Sequence, residues 1–138
     1  MLLAGVFAAT QTPTNAMLST AVRSPVNAAF VSFAVGTLVL AAAVALVRVK
    51  PDWGAVRALP LYAWLGGAYG AFFVVAAAYS APRIGVAATV TLLVAGQLVA
   101  AAALDQLGAF GMERRDLTPA RLLGLALVAA GVVLVRRG

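Results

Sequence analysis

The chain of 138 residues contains neither cysteine nor histidine, and only four acidic residues, Asp52, Asp105, Glu113 and Asp116. The first absence excludes disulfides and thiolate chemistry. Together they exclude zinc sites of the usual kind and histidine acid–base catalysis. With so few carboxylates there is no paired acid and base, no metal-ligand cluster and no nucleophile–base set, so an enzyme is not expected, nor a cofactor or bound metal. Charge of either sign is scarce as well, at 10% of residues against 64% hydrophobic. A soluble domain is nearer half apolar and a quarter charged. Mean hydropathy is +1.02, and the composition is that of an integral membrane protein.

The ten basic residues give a net charge of +6, which in a soluble protein would suggest nucleic acid. Here they cluster at the ends of hydrophobic segments, where Lys and Arg anchor helices against the lipid headgroups. A nucleic-acid partner is therefore not expected; the lipid bilayer is. The first segment has no basic leading region and no A-x-A cleavage pattern, so it does not read as a signal peptide.

About 20 mostly apolar residues are needed to cross a bilayer as a helix. Five segments qualify, at about 1–22, 25–49, 60–79, 84–104 and 119–135. The expected fold is all-α, with five transmembrane helices in a single domain covering 1–138. Ser24-Pro25 and Thr118-Pro119 each read as an N-cap followed by proline at the first helical position, where its missing N–H is harmless. Ser80-Ala81-Pro82-Arg83 reads as a tight turn. Arg48 to Arg57 reads as an interfacial loop, with Trp53, Tyr62 and Trp64 at the headgroup level. The most polar loop is 105–118. No charged residue is expected inside a span, because Asp105 closes the fourth and Arg121 opens the fifth.

The first span is the unusual one. Gln11-Thr12-Pro13-Thr14-Asn15 occupies its centre, where polar groups are costly in lipid and face a bundle interior. Gln11, Asn15 and Ser19 share a helical face. Pro13 frees the carbonyl of Ala9 and is expected to kink the helix, as in the broken helices that form transporter sites. Ser32 on the second span, and Thr89 and Gln97 on the fourth, are further candidates to face the same interior. Tyr69 and Phe73 on the third could form an apolar wall. The candidate solute-binding set is Gln11, Thr14, Asn15, Ser32, Tyr69, Phe73, Thr89 and Gln97. Gly36, Gly66, Gly70, Gly124 and Gly131 are expected to be helix-packing positions, Gly66 and Gly70 as a GxxxG pair.

Five spans put the termini on opposite sides. Arg48, Lys50, Arg57, Arg114, Arg115 and Arg121 then face one side, and Arg23, Arg83, Arg136 and Arg137 the other. So even a distribution gives little positive-inside bias, which points to a chain that inserts both ways. Five helices are few for a two-sided pathway, and no second internal copy is visible. Another chain inserted upside down would supply the missing inverted repeat. The expectation is an antiparallel homodimer, or a pair with a paralogous chain, with the two-fold axis in the membrane plane.

The residues also resemble a known family. Gln11…Asn15…Leu18, Ala28-Ala29-Phe30-Val31-Ser32-Phe33…Gly36, Trp64-Leu65-Gly66-Gly67…Gly70-Ala71, Ala81-Pro82…Ile84-Gly85, Ala95-Gly96-Gln97-Leu98…Asp105…Gly108 and Gly124…Gly131-Val132 are similar to the YdcZ-type family. These are uncharacterised small membrane proteins of the drug/metabolite transporter superfamily. The resemblance implies a five-helix half-transporter in the bacterial inner membrane, often of dual topology, occurring as homodimers, paired paralogues or fused tandems. The last helix is also similar to small multidrug-resistance proteins, but their membrane-embedded glutamate is absent from the first helix here. The leading expectation is a transporter of a small polar or amphipathic metabolite. A passive ion channel built as an antiparallel dimer and a non-transporting assembly subunit are the alternatives.

Overall fold

The computed structural model describes residues 1–137. It is helical throughout, without strands among the described residues: α1 (Leu2–Ala21), α2 (Pro25–Val47), the short α3 (Trp53–Arg57), α4 (Gly66–Ile84), α5 (Val86–Leu107) and α6 (Pro119–Arg137). One 3-10 turn, Leu61–Leu65, leads into α4, and another, Ala109–Gly111, follows α5. Four stretches are long and apolar enough to cross a membrane: Pro25–Val47, Leu61–Ile84, Val86–Leu107 and Pro119–Arg137. The polar midpoint of α1 keeps it out of that group.

The chain divides into two compact units, Met1–Tyr79 and Ser80–Gly138. In the first, α1 and α2 pack against one another as an antiparallel hairpin. The connection is as short as the sequence implies. Ser24 Oγ accepts from the N–H of Asn27 at 3.2 Å, and Pro25 takes the first helical position. The Ser24 N–H donates back to the Ser19 carbonyl at 3.0 Å, so the two helix ends are closed by one three-residue link. Ala28 and Ala29 of α2 and Thr12 and Asn15 of α1 are buried. In lipid, such small side chains let backbones approach and gain dispersion contacts where no hydrophobic driving force exists.

In the second unit α5 packs against α6. Gly108 ends α5 in the left-handed conformation at φ 58, and the loop folds back onto that end. The Arg115 N–H donates to the Asp105 carbonyl at 2.8 Å, and the Leu117 N–H donates to Gln106 Oε1 at 2.7 Å. Thr118 then caps α6 through Oγ1, which accepts from the Arg121 N–H at 3.3 Å.

Several boundaries differ from those read in the sequence. Ser80 to Arg83 is not a turn; it completes α4, with Pro82 inside the last turn. The helix break falls at Gly85, whose φ of 85 and ψ of 155 lie in a region essentially open only to glycine. Proline removes one N–H, which a final helical turn tolerates, whereas the backbone angles that end the helix need a residue without Cβ. The second span ends at Val47 and not 49, and α5 starts at Val86 and runs to Leu107. The expected 48–57 loop holds α3, capped by Asp52 Oδ1, which accepts from the N–H groups of Gly54 at 2.9 Å and Ala55 at 3.1 Å. Charged residues do fall inside the long helices: Arg83, Asp105, Arg121, Arg136 and Arg137 all lie in terminal turns. Pro13 lies inside α1, which is assigned as one helix from Leu2 to Ala21. Hydroxyls around the proline supply local bonds: Thr10 Oγ1 donates to the Val6 carbonyl, Thr12 to Ala8, and Thr14 to Thr10 and Gln11. Such side-chain bonding is how transmembrane helices accommodate proline.

Candidate functional site: a polar cleft between α1 and α2

A cleft of about 200 Å³ lies between α1 and α2, lined by Gln11, Ser32, Phe33, Gly36, Thr37 and Leu40. Gln11 is the midpoint of α1, and Gly36 the midpoint of α2, so the cleft opens halfway along both helices. Gln11 is exposed and Ser32 half-buried. The α2 lining follows from helical spacing: Ser32, Gly36 and Leu40 recur every four residues, with Phe33 and Thr37 on the adjoining row.

Asn15 lies one turn from Gln11 on the same face of α1 and is only 4% exposed. Its amide makes no hydrogen bond among the described residues. The sole polar atom that is both sealed from solvent and without a hydrogen bond, again among the described residues, belongs to Arg121. The residual exposure of Asn15 therefore sits on its amide atoms, which stay within reach of a solute. A primary amide offers two donors and a carbonyl acceptor, and near the centre of a membrane-length helix an unpaired one is expensive.

The threonines behave differently. Thr14 Oγ1 donates to the carbonyls of Thr10 at 3.2 Å and Gln11 at 2.9 Å, and Thr37 Oγ1 to that of Phe33 at 2.8 Å. Thr89, 2% exposed, donates to the Gly85 carbonyl at 2.8 Å. With each hydroxyl proton occupied by its own helix, these residues can only accept. Donors toward a solute must come from Gln11, Asn15 and Ser32.

The structure thus gathers Gln11, Ser32 and Gly36 into one cleft, with Asn15 beside Gln11. Thr14 is exposed and turned to its own backbone. Tyr69 is exposed and Phe73 half-buried on α4, and neither lines this cleft. Thr89 and Gln97 belong to the second unit. Sequence reading missed Phe33, Thr37 and Leu40. The i, i+4 relation to Ser32 and Gly36 was the available signal, but α2 is apolar on every side and gives no contrast.

The glycines separate in the same way. A Cβ built at Gly70 would stand 3.2 Å from Phe33 Cζ, so α4 closes against the aromatic wall of the cleft at that point. At Gly36, Gly66, Gly124 and Gly131 a Cβ would meet nothing within 4 Å. Those four therefore make no close helix contact among the described residues of their own unit.

A second cleft, of about 360 Å³, runs between α5 and α6, lined by Leu98, Ala101, Ala102, Asp105, Arg121, Gly124, Leu125 and Val128. Arg121 Nη1 stands 3.3 Å from Asp105 Oδ2 at its polar end, both side chains 38% exposed. Sequence reading treated these two as separate interface anchors.

No group of three or more His, Cys, Asp or Glu side chains able to hold a metal occurs among the described residues. Neither the curated proteins nor the solved structures contain a match. Residues 1–134 do match the family described as "Putative inner membrane exporter, YdcZ". Several apolar helices of membrane length, a polar cleft at the midpoint of the α1–α2 hairpin and a family match over nearly the whole chain agree, and the protein is a multi-pass membrane protein belonging to the YdcZ family.

Proposed function

We propose that the chain is half of a transporter that exports a small polar or amphipathic metabolite by alternating access, with the α1–α2 cleft as its solute site. The observation that carries this reading is the position and chemistry of the cleft. It lies halfway along both helices, and Gln11, Ser32 and Asn15 around it have donors that no intramolecular bond occupies. Binding at the bilayer midplane is the arrangement that alternating access requires. Phe33, Gly36 and Leu40 supply an apolar wall suited to an amphipathic solute.

Helix α1 is the fifth span in this reading. Its 20 residues extend about 30 Å, a bilayer's hydrocarbon thickness. It returns antiparallel along α2 from a short link, so it follows its partner across the membrane. An antiparallel dimer in the inner membrane supplies the second, inverted half. Support comes from the even split of basic residues and from Gly66 and Gly131, which line neither cleft and where a Cβ would meet nothing within 4 Å. With no carboxylate at the midplane, the site recognises its solute by hydrogen bonds and shape, not by a buried counter-charge.

The test is an untargeted comparison of culture medium from cells expressing the wild-type chain, Gln11→Ala, Asn15→Ala and Ser32→Ala at equal membrane levels. At least one small metabolite should accumulate outside wild-type cells and fall to background in the variants. A solute whose export ignores all three substitutions would place the pathway elsewhere. The dimer is tested separately with a single cysteine appended to the cysteine-free chain and a membrane-impermeant maleimide. About half of the protein should label in intact cells; all-or-none labelling would mean one fixed orientation.

A further inference from the structure

We propose that the α5–α6 cleft is a binding site for one phospholipid whose headgroup carries a primary ammonium and a phosphate. The shape of the cleft follows the division of such a lipid. Its charged residues, Asp105 and Arg121, are the third-last residue of α5 and the third residue of α6, where the helices meet the interface. Below them the lining turns apolar, through Ala101, Ala102, Gly124 and Leu125 to Leu98 and Val128. Leu98 lies about 10 Å deeper than Asp105 at the helical rise per residue, the reach of the first part of an acyl chain. At Gly124 the floor is empty, with nothing within 4 Å of a built Cβ.

The electrostatics select a zwitterion. The surrounding polar segment carries Asp105, Glu113 and Asp116 against Arg114, Arg115 and Arg121, and Arg114 is already paired with Asp116 at 3.4 Å. A locally balanced patch of this kind gives little long-range attraction to an anionic lipid. The Asp105–Arg121 pair is a dipole at the mouth of an apolar slot, matched by an ammonium–phosphate dipole lying antiparallel to it. The pair also has bonding capacity left over. Arg121 Nη1 is sealed from solvent and makes no hydrogen bond, although Asp105 Oδ2 is 3.3 Å away. Nη1 is turned to the carboxylate, and the Arg121 side chain is still 38% exposed, so its outer N–H groups are open to a phosphate oxygen. An ammonium with three N–H groups can donate to Asp105, whereas a quaternary choline cannot.

The test uses the full-length chain in detergent and three phospholipids of identical acyl chains bearing ethanolamine, choline or glycerol headgroups, titrated by native mass spectrometry. The ethanolamine lipid should bind roughly tenfold more tightly than the choline lipid, the difference expected for losing a charge-assisted hydrogen bond. Asp105→Asn should remove that preference, whereas Arg121→Gln, which loses the contact to the phosphate that both lipids carry, should weaken the two together and leave their ratio. Gly124→Leu, filling open space without touching a charge, should weaken all three lipids together. A double variant, Asp105→Arg with Arg121→Asp, keeps one carboxylate and one guanidinium at the mouth with the dipole reversed; a headgroup that turns with it should keep the preference, which decides the matter where a single variant fails to fold. Tighter binding of the glycerol lipid, a preference that survives Asp105→Asn, or binding indifferent to Gly124→Leu would each overturn the proposal.

Discussion

Replacing Asn15 by leucine should make the protein more stable and less active. The side chain is 4% exposed, and its amide has no hydrogen-bond partner among the described residues. Leaving a buried polar group unpaired costs about 1–3 kcal/mol. Leucine branches at Cγ as asparagine does but is bulkier, so the substitution removes this penalty without opening a cavity while adding some crowding that offsets part of the gain. The gain should be about 1–2 kcal/mol once some retained contact of the amide with water is allowed for. For a chain of this length that corresponds to a rise of roughly 3–8 °C in melting temperature. Thr12 is the internal control. It is buried to 2% on the same helix, but its hydroxyl donates to the Ala8 carbonyl at 3.3 Å. That carbonyl also serves the helix, so Thr12→Val should change stability by less than about 0.5 kcal/mol. Thermal melting in detergent, with export measured on the same variants, gives both readouts. A fall in melting temperature for Asn15→Leu equal to the expected rise would show that the amide is satisfied in the native protein. Full export by that variant would remove Asn15 from the solute pathway.

Other outcomes follow from particular contacts. Gly70→Ala places a methyl 3.2 Å from the Phe33 ring; crowding should cancel the ~1 kcal/mol that alanine brings to a helix and push the ring into the cleft. Stability should then hardly change while export falls, whereas Gly131→Ala, with open space around it, should leave export unaltered. Gly85→Ala forces a Cβ onto φ 85 and ψ 155, a strain of about 1–3 kcal/mol, read as a lowered melting temperature. Gln106→Ala removes the acceptor for the Leu117 N–H; trypsin should then cut faster after Arg114 or Arg115 than in the wild type, and an unchanged rate would mean that the bond does not hold the loop.

What could be read from the sequence depended on contrast. Gln11 and Asn15 stood out because polar residues at the centre of a membrane-length segment are rare, and Ser24-Pro25 announced the hairpin because cap and proline are local signals. Phe33, Thr37 and Leu40 did not stand out, since a helix apolar all round hides which face turns inward. Gly66 and Gly70 look alike as a GxxxG pair, yet only Gly70 meets a neighbour, and that distinction belongs to packing between helices. Pro82 looked like the turn because proline ends many helices, while Gly85, three residues later, had the backbone freedom to end one. The Asp105–Arg121 pair was hidden for a different reason. Each residue sits where charged anchors are ordinary, and they meet only because the loop hydrogen bonds at Arg115 and Leu117 bring the start of α6 back beside the end of α5.

The central claim is that the α1–α2 hairpin holds a water-accessible polar cleft in the middle of the membrane. The natural absence of cysteine makes its most direct test simple and independent of any substrate. Single cysteines replace Ser32 and Thr37, which line the cleft, and Leu38 and Val39, which are exposed on α2 outside it. Membrane vesicles are then treated with a small, charged methanethiosulfonate reagent. Modification at Ser32 and Thr37 with none at Leu38 and Val39 is the predicted result. Four cysteines equally protected, or equally modified, would mean that no aqueous cleft exists at this depth.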